Sequence, residues 1–346
     1  MITPYLLFSE SALHENMQQL NRIVVDRTRR WAARLTGLVP MNMLKEVILP
    51  VTQVASCSTI PDAEYLADAG FHRIILVGRA LDVESLRRLR CVAERAQVVA
   101  VIDHFRHAEL LSQCVLRSTC AIEILIDIDV GRQSTGVQPG ADAALLASAA
   151  SQLPGLKVMG VFVSAVDVCS RQSLVSRVDE QAAVVQIADH ARRSIVNAPH
   201  GGEIVIATSF AWESLIGDLR IQCLVVNPFC RVEKSSRDTG KQPVVCVVAT
   251  VISRPSLEFC VIDAGQSVLS DASGSRVVAP GGASILQMMP ETCTLCLTGD
   301  SCDLRIGDTV RLAVPEPEYL LNRNNFLTNS ATTASEQDSR WPHGWH

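Results

Sequence analysis

Residues 122–140, IEILIDIDVGRQSTGVQPG, are the stretch that decides the fold of this chain. Isoleucine stands at every second position from 122 to 128, and Glu123, Asp127 and Asp129 fall on the alternate positions. Glycines at 131, 136 and 140 and a proline at 139 then indicate a loop. A strand that ends in carboxylates and passes into such a loop is typical of a parallel β/α barrel, whose strands point their carboxyl ends at the active site.

The composition predicts a folded chain with a large core. Its 346 residues suffice for two domains or for one barrel with an appendage, and 48% of them are hydrophobic. The net charge of −5 comes with no basic stripe, so we expect no nucleic-acid partner. The amino-terminal residues lack the features of a signal peptide, and no apolar run reaches the roughly 20 residues that span a bilayer. We therefore expect a cytoplasmic protein with no membrane partner.

The 12 cysteines are scattered singly through segments that read as strands and helices. Without an export signal, buried free thiols are a better interpretation than a disulfide framework. Cys293 and Cys296 form a C-x-x-C with Cys302 nearby. We expect no zinc there, because residues i and i+3 of a strand face opposite ways and no second pair exists.

Strand-like and helix-like segments alternate from residue 30 to residue 226. The eight predicted strands are 30–38, 53–59, 73–78, 98–103, 122–130, 158–164, 203–208 and 222–226. The predicted helices are 9–27, 40–49, 60–70, 83–95, 106–116, 141–152, 170–196 and 212–216. Their number and spacing predict an α/β fold, a closed (β/α)8 barrel of the TIM type over residues 9–230.

The pattern of the sequence changes after Phe229. A polar linker is followed there by short apolar segments that read as strands, separated by glycine, proline, aspartate and serine. These predicted strands are 244–253, 258–263, 276–278, 294–297 and 309–314. The pattern predicts a small all-β domain over residues 242–327. The polar tail 328–346 has no periodicity and is expected to be disordered.

Several motifs in this order resemble the D-threonine aldolase and D-serine dehydratase family, pyridoxal-phosphate enzymes of fold type III with an alanine-racemase-type barrel. The motifs are DVG before GV and PG in residues 129–140, Thr3-Pro4, CSTIPDAE at 57–64, LADAG at 66–70, ATVISRP at 249–255, VIDAG at 261–265 and LRIGD at 304–308. The resemblance implies that the amino-terminal strand, residues 1–8, joins the β-domain. It also implies pyridoxal phosphate, a small-molecule ligand at the barrel mouth and a homodimer.

In this family a lysine at the end of the first barrel strand holds pyridoxal phosphate as a Schiff base. Counting back from Cys57 without gaps places Thr36 at that position, and a four-residue deletion places Pro40 there. Neither side chain forms an imine. Lys45 is the nearby amine, and it is interpreted either as a displaced Schiff-base lysine or, as we favour, as a solvated helix residue beside Glu46.

Other cofactor-binding positions of the family are also altered. Thr208 and Ser209 replace part of a glycine-rich phosphate loop, and they either donate hydroxyls to an anion or form a turn with Ser209 as an N-cap. Ser164 and Ala165 match the tyrosine and histidine near the cofactor ring. Arg132 either compensates for the family arginine missing before Gly136 or is an exposed loop residue.

D-threonine aldolases use a divalent metal bound by a histidine and a cysteine, and Pro317 and Tyr319 match those positions here. We therefore expect no metal by that mechanism, and Glu316 and Glu318 would face opposite ways in an extended chain. His104 and His107 are expected to be surface residues. Asp127 and Asp129 are expected to pair with neighbouring arginines, and no matched general base is identified.

Three hypotheses follow. The preferred one is a non-catalytic or ligand-binding family member that has lost the Schiff-base lysine and the metal ligands. The alternative is an active pyridoxal-phosphate lyase, an aldolase or dehydratase acting on D-3-hydroxy amino acids, with Lys45 rewired into the mouth. The third is a metal-dependent enzyme that uses Asp127, Asp129 and the cysteines.

Overall fold

A computed structural model describes most of the chain. The described residues are 3–25, 30–36, 39–116, 118–131, 134–165, 174–195, 202–208, 218–229, 243–269, 275–314 and 329–330. The predicted helix 212–216, the linker 230–242 and most of the tail lie outside them. The predicted domain boundaries, 9–230 and 1–8 plus 242–327, stay predictions.

Eight parallel strands close into a barrel, as the sequence predicted. They are β2 (Arg30–Arg34), β3 (Val54–Cys57), β4 (Arg73–Leu76), β5 (Gln97–Ile102), β6 (Ile122–Asp127), β7 (Leu156–Ser164), β8 (Glu203–Thr208) and β9 (Cys223–Val226). Strand β9 pairs with β2 and closes the ring. Side chains on the inner face, among them Val99, Leu125 and Val205, form one buried cluster. The barrel interior is therefore a packed core.

Helices connect successive strands of the barrel. They are α2 (Met41–Met43), α3 (Ile60–Ala69), α4 (Val83–Ala93), α5 (Phe105–Val115), α6 (Ala141–Ser151) and α7 (Leu174–Ser194), and α1 (Glu10–Val25) precedes β2. The ends of helix α3 are set by capping residues at both termini. Thr59 accepts a hydrogen bond from the amide of Asp62, and Gly70 ends the helix with φ of 104°.

A second sheet of eight strands lies outside the barrel. It comprises β1 (Tyr5–Ser9), β10 (Val245–Ser253), β11 (Phe259–Ile262), β12 (Arg276–Ala279), β13 (Ala283–Met288), β14 (Cys293–Leu297), β15 (Thr309–Ala313) and β16 (Asn329–Ser330). Strand β1 pairs antiparallel with β10, which confirms that the amino-terminal strand joins the β-domain. A four-residue helix, α8 (Gln266–Leu269), lies between two of these strands.

Two strand predictions were wrong. Strand β13 was missed because none of its six residues is fully buried, so an edge strand leaves no clear alternation in the sequence. The first barrel strand ends at Arg34, four residues earlier than predicted. The short helix predicted over 40–49 is present, as α2 continued by a π-helix, Leu44–Ile48.

All ten cysteines that the structure describes are free thiols, and five of them are buried. Burial raises the pKa of Cys223 to about 12 and that of Cys293 to about 11, so both stay protonated at neutral pH. Among the described helices, none combines the length and the apolar character that a bilayer crossing requires.

Candidate functional site

Three charged side chains meet at the carboxyl ends of β4, β5 and β6. Arg79, Asp103 and Asp127 continue the inward-facing alternation of their strands, on the same face as Ile75, Val101 and Leu125. The Arg79 Nη2 atom lies 2.8 Å from Asp127 Oδ2 and 3.2 Å from Asp103 Oδ2. Asp127 therefore pairs with a neighbouring arginine, as the sequence predicted.

The carboxylate of Asp103 has two further contacts. Its Oδ1 atom lies 3.0 Å from Nδ1 of His107, which sits in the first turn of α5. Its Oδ2 atom accepts a hydrogen bond of 3.2 Å from the amide of Gly136. We call Arg79, Asp103, Asp127 and His107 the mouth network. Its members lie at or just beyond the ends of three strands and in the first turn of one helix, and only the tertiary structure brings all four together.

The connection from β6 to α6 folds back onto the end of β6. Ile128 and Val137 form an isolated parallel bridge. The amide of Val137 donates to the carbonyl of Asp127, and the amide of Asp129 donates to the carbonyl of Val137, both at 2.9 Å. The carboxylate of Asp129 accepts from the amide of Gly131 at 3.0 Å. The predicted fifth strand therefore ends at Asp127, and the next residues bond to this loop.

The environment moves the pKa values of Asp127, Asp103 and His107 in different directions. Burial raises the pKa of Asp127, although Arg79 and the Thr135 hydroxyl oppose the rise. Burial also acts to raise the pKa of Asp103, but the bond and charge of Arg79 outweigh it and the pKa is lowered. Burial lowers the pKa of His107 despite the charge of Asp103. Diverging pKa values in one cluster are a feature of functional sites.

His107 is a functional candidate that the sequence prediction missed. It was expected at the surface, but its side chain is only 18% exposed and contacts Asp103. His104, by contrast, caps α5 by accepting a hydrogen bond from the amide of Arg106. The two histidines lie in one short motif, HFRH. The signal that separates them is the position of His107 four residues after Asp103 at a strand end.

The residues at the predicted lysine position lie at or beyond the end of β2. Thr36 shares the inward face of Ala32, is buried, and its Oγ1 has no hydrogen-bond partner in the described part of the chain. Pro40 is half-buried and directly precedes α2. Lys45 is exposed beside Glu46, on a π-helix that buries Leu44, Val47 and Ile48.

The predicted cofactor-binding residues are only partly described. Thr208 is fully buried at the end of β8. Ser164 is half-buried at the end of β7, where it pairs in register with Ala207. Arg132 and Ser209 lie outside the described residues, so their predicted roles stay predictions.

The predicted metal positions Glu316 to Tyr319 also lie outside the described residues. Cys293 is buried in β14, whereas Cys296 on the same strand is half-buried. Within the described ranges, no group of three or more histidine, cysteine, aspartate or glutamate side chains converges as a metal site would. Asp127 therefore has no cysteine partner there of the kind that the metal-enzyme hypothesis requires.

Gly136 is expected to be intolerant of a side chain. Its φ is +110°, and an added Cβ would lie 2.5 Å from the amide nitrogen of Asp129. We expect Gly136→Ala to lower the free energy of unfolding by about 2–3 kcal/mol in urea denaturation. Gly131→Ala is the matched control, because its φ is +90° but an added Cβ meets nothing within 4 Å. Equal losses in the two variants would contradict a steric role for Gly136.

A family model extends over more than half of the chain. Residues 9–202 match the model described as alanine racemase, N-terminal domain. A D-threonine aldolase from Arthrobacter sp. is 26% identical over 105 residues. That alignment spans 30% of this chain and 28% of the relative, so it leaves most of both proteins uncompared.

Solved structures resemble the whole chain. The crystal structure of D-threonine aldolase from Filomicrobium marinum has a TM-score of 0.83 at 20% identity, covering 99% of this chain and 95% of the other. D-threo-3-hydroxyaspartate dehydratase from Delftia sp. HT23 has a TM-score of 0.74 at 17% identity, covering 100% and 98%. At these identities the likeness shows the fold. Together with the family model, it confirms the resemblance found in the sequence, and the chain belongs to the alanine racemase N-terminal domain family.

Proposed function

We propose that this chain is a non-catalytic, ligand-binding member of a family of pyridoxal-phosphate barrels, and that it has lost the Schiff-base lysine and the metal ligands. The observation that carries the proposal is the chemistry of the barrel mouth. At the described strand ends, the mouth presents a guanidinium, carboxylates and hydroxyls, and no primary amine.

The requirement for an amine comes from the cofactor itself. Pyridoxal phosphate supplies an aldehyde and an electron sink, and its aldehyde is held by an imine to a lysine. Arginine does not replace lysine, because its guanidinium stays protonated in proteins. Thr36 and Pro40, at the two alignments of the lysine position, have no amine to offer.

The described lysines give no substitute. Lys45 is exposed to solvent on the π-helix. Lys157 is the second residue of β7, at the amino-terminal end of the barrel strands and therefore opposite the mouth. Lys234 and Lys241, the other two lysines of the chain, lie outside the described residues. The described residues therefore do not fit a covalently tethered pyridoxal phosphate, and we derive no reaction step through it.

The same reasoning supports the proposed partners. A mouth lined by charged and hydroxyl side chains favours a small polar molecule as the ligand. The resemblance to the family supports a homodimer, which light scattering of the purified protein tests directly. A cytoplasmic location remains part of the proposal. Neither a nucleic acid nor a membrane is part of this proposal.

The test is the visible spectrum of the purified protein with pyridoxal phosphate, recorded before and after borohydride. We expect no protein-bound imine absorbance, and no reduced adduct in the intact mass beyond the background of solvent-exposed amines, because none of the described lysines lies at the mouth. Free pyridoxal phosphate with an equal concentration of N-acetyl-lysine measures the background from solvent-exposed amines.

A stoichiometric, reducible imine would refute the proposal and favour the active lyase. Lys45→Ala and Lys157→Ala then form a matched pair of variants. Loss of the imine in Lys45→Ala alone would establish Lys45 as the rewired lysine. An adduct that persists in both variants would place the anchor on Lys234 or Lys241.

A further inference from the structure

We propose that Arg79 is the centre of an internal clamp that holds residues 134–137, part of the β6–α6 connection, against the barrel mouth. The clamp consists of the guanidinium of Arg79, the carboxylates of Asp103 and Asp127, and the bonds that these aspartates accept from the loop. It goes beyond the proposed function and does not depend on whether a cofactor binds.

Arg79 pairs with two carboxylates that repel each other. Asp103 and Asp127 end adjacent strands, and the charge of Asp103 contributes to raising the pKa of Asp127. Arg79 lies within 3.2 Å of both carboxylates and opposes this repulsion. Because the Asp127 side chain is only 4% exposed and that of Arg79 only 16% exposed, solvent screens their attraction weakly. Without the guanidinium, two carboxylates would face each other with little solvent.

Both aspartates are also bonded to the β6–α6 connection. Each aspartate that Arg79 holds also accepts a hydrogen bond from a loop amide: the Asp103 carboxylate from Gly136 at 3.2 Å, and the Asp127 carbonyl from Val137 at 2.9 Å. The Thr135 hydroxyl also favours the charged form of the Asp127 carboxyl. Hydrogen bonds to ionised acceptors are the stronger kind. The guanidinium therefore stabilises the loop through the two aspartates that it pairs with and whose charged forms it favours.

Local contacts fix the position of Arg79 itself. Its Nη1 atom donates to the carbonyl of Val77, two residues earlier and just beyond the end of β4. The intervening Gly78 passes so close to the backbone of the β3–α3 connection that an added Cβ would lie 1.9 Å from the carbonyl oxygen of Ser58. The backbone before Arg79 is therefore fixed, and its side chain is directed to β5 and β6. This makes Arg79 a positioning residue for the loop.

The experiment is hydrogen exchange of the full-length protein, followed by mass spectrometry on peptides from residues 128–140. We expect Arg79→Met to accelerate exchange of the amides in this segment by at least about tenfold, because local opening no longer breaks charged contacts. Peptides from α7 and from β10 should be unchanged. Arg87→Met is the matched control, since Arg87 is an exposed arginine paired with Glu84 at 2.6 Å on α4. It should leave residues 128–140 unaffected.

A second variant keeps the test decisive if Arg79→Met does not fold. Thr135→Val removes the hydroxyl that favours the charged form of Asp127 and leaves the ion pairs intact. It should accelerate exchange in the same segment by a smaller factor, about threefold. Unchanged exchange at 128–140 in either folded variant would overturn the clamp. A uniform increase across the whole barrel would also overturn it, because Arg79 would then support the scaffold and not the loop.

Discussion

Replacing Phe162 by alanine is expected to lower the free energy of unfolding by about 3–5 kcal/mol, the range for deleting a buried aromatic side chain. Phe162 lies on β7, is 1% exposed, and packs in the barrel interior with Leu125 and Val205. Close packing leaves these neighbours little room to collapse into the cavity. Urea denaturation monitored by circular dichroism measures the loss.

Phe105→Ala is the control for this variant. Phe105 is the first residue of α5 and is 39% exposed, so the same truncation removes less buried surface. We expect it to cost under about 1 kcal/mol. Similar losses for the two phenylalanines would show that the interior of the barrel is not packed around Phe162.

Replacing Arg73 by methionine is expected to cost about 3 kcal/mol, the lower end of the range for removing one partner of a buried ion pair. Arg73 begins β4, at the opposite end of the barrel from the mouth. Its Nη2 atom lies 3.0 Å from Glu123 and 3.4 Å from Glu203, and the arginine side chain is 14% exposed. Methionine of similar length leaves both carboxylates without this cation.

Two further variants test the electrostatic cause of this loss. Arg90→Met removes an arginine that is 44% exposed and 3.9 Å from Glu94, and it should change stability by less than about 0.5 kcal/mol. Adding Glu123→Gln to Arg73→Met should recover about 1 kcal/mol or more, because one of the two carboxylates is then neutral. No recovery in that double variant would mean that lost packing of the arginine stem causes the effect.

The barrel was predictable because its signal is local and repeated. A barrel strand such as Ile122–Asp127 is rich in β-branched residues, and the ends of a helix such as α3 are marked by capping residues, here Thr59 and Gly70. Such signals need only neighbouring residues. Strand β13 escaped prediction because it lies at a sheet edge, where burial does not impose an alternation on the sequence.

The mouth network was predictable only in part. A carboxylate at the end of an inner strand suggested that Asp127 would find an arginine, and it does. Nothing in the sequence specified which arginine, since Arg79 precedes Asp127 by 48 positions. His107 was misplaced although Asp103 lies only four residues before it, because the folded structure and not this local spacing sets how far its side chain is buried.

Hydrophobic periodicity and turn residues, read along the chain, were enough to predict the eight strands and the described helices between them, because these features act over a few residues. The family was suggested separately, by the resemblance of short motifs. The partners of Asp103 and Asp127, and the balance of burial against those partners that raises one pKa and lowers the other, arise when strands distant in the chain close into a ring. Charge interactions depend on distance in space and on exclusion of water, and only closure of the barrel sets those two quantities.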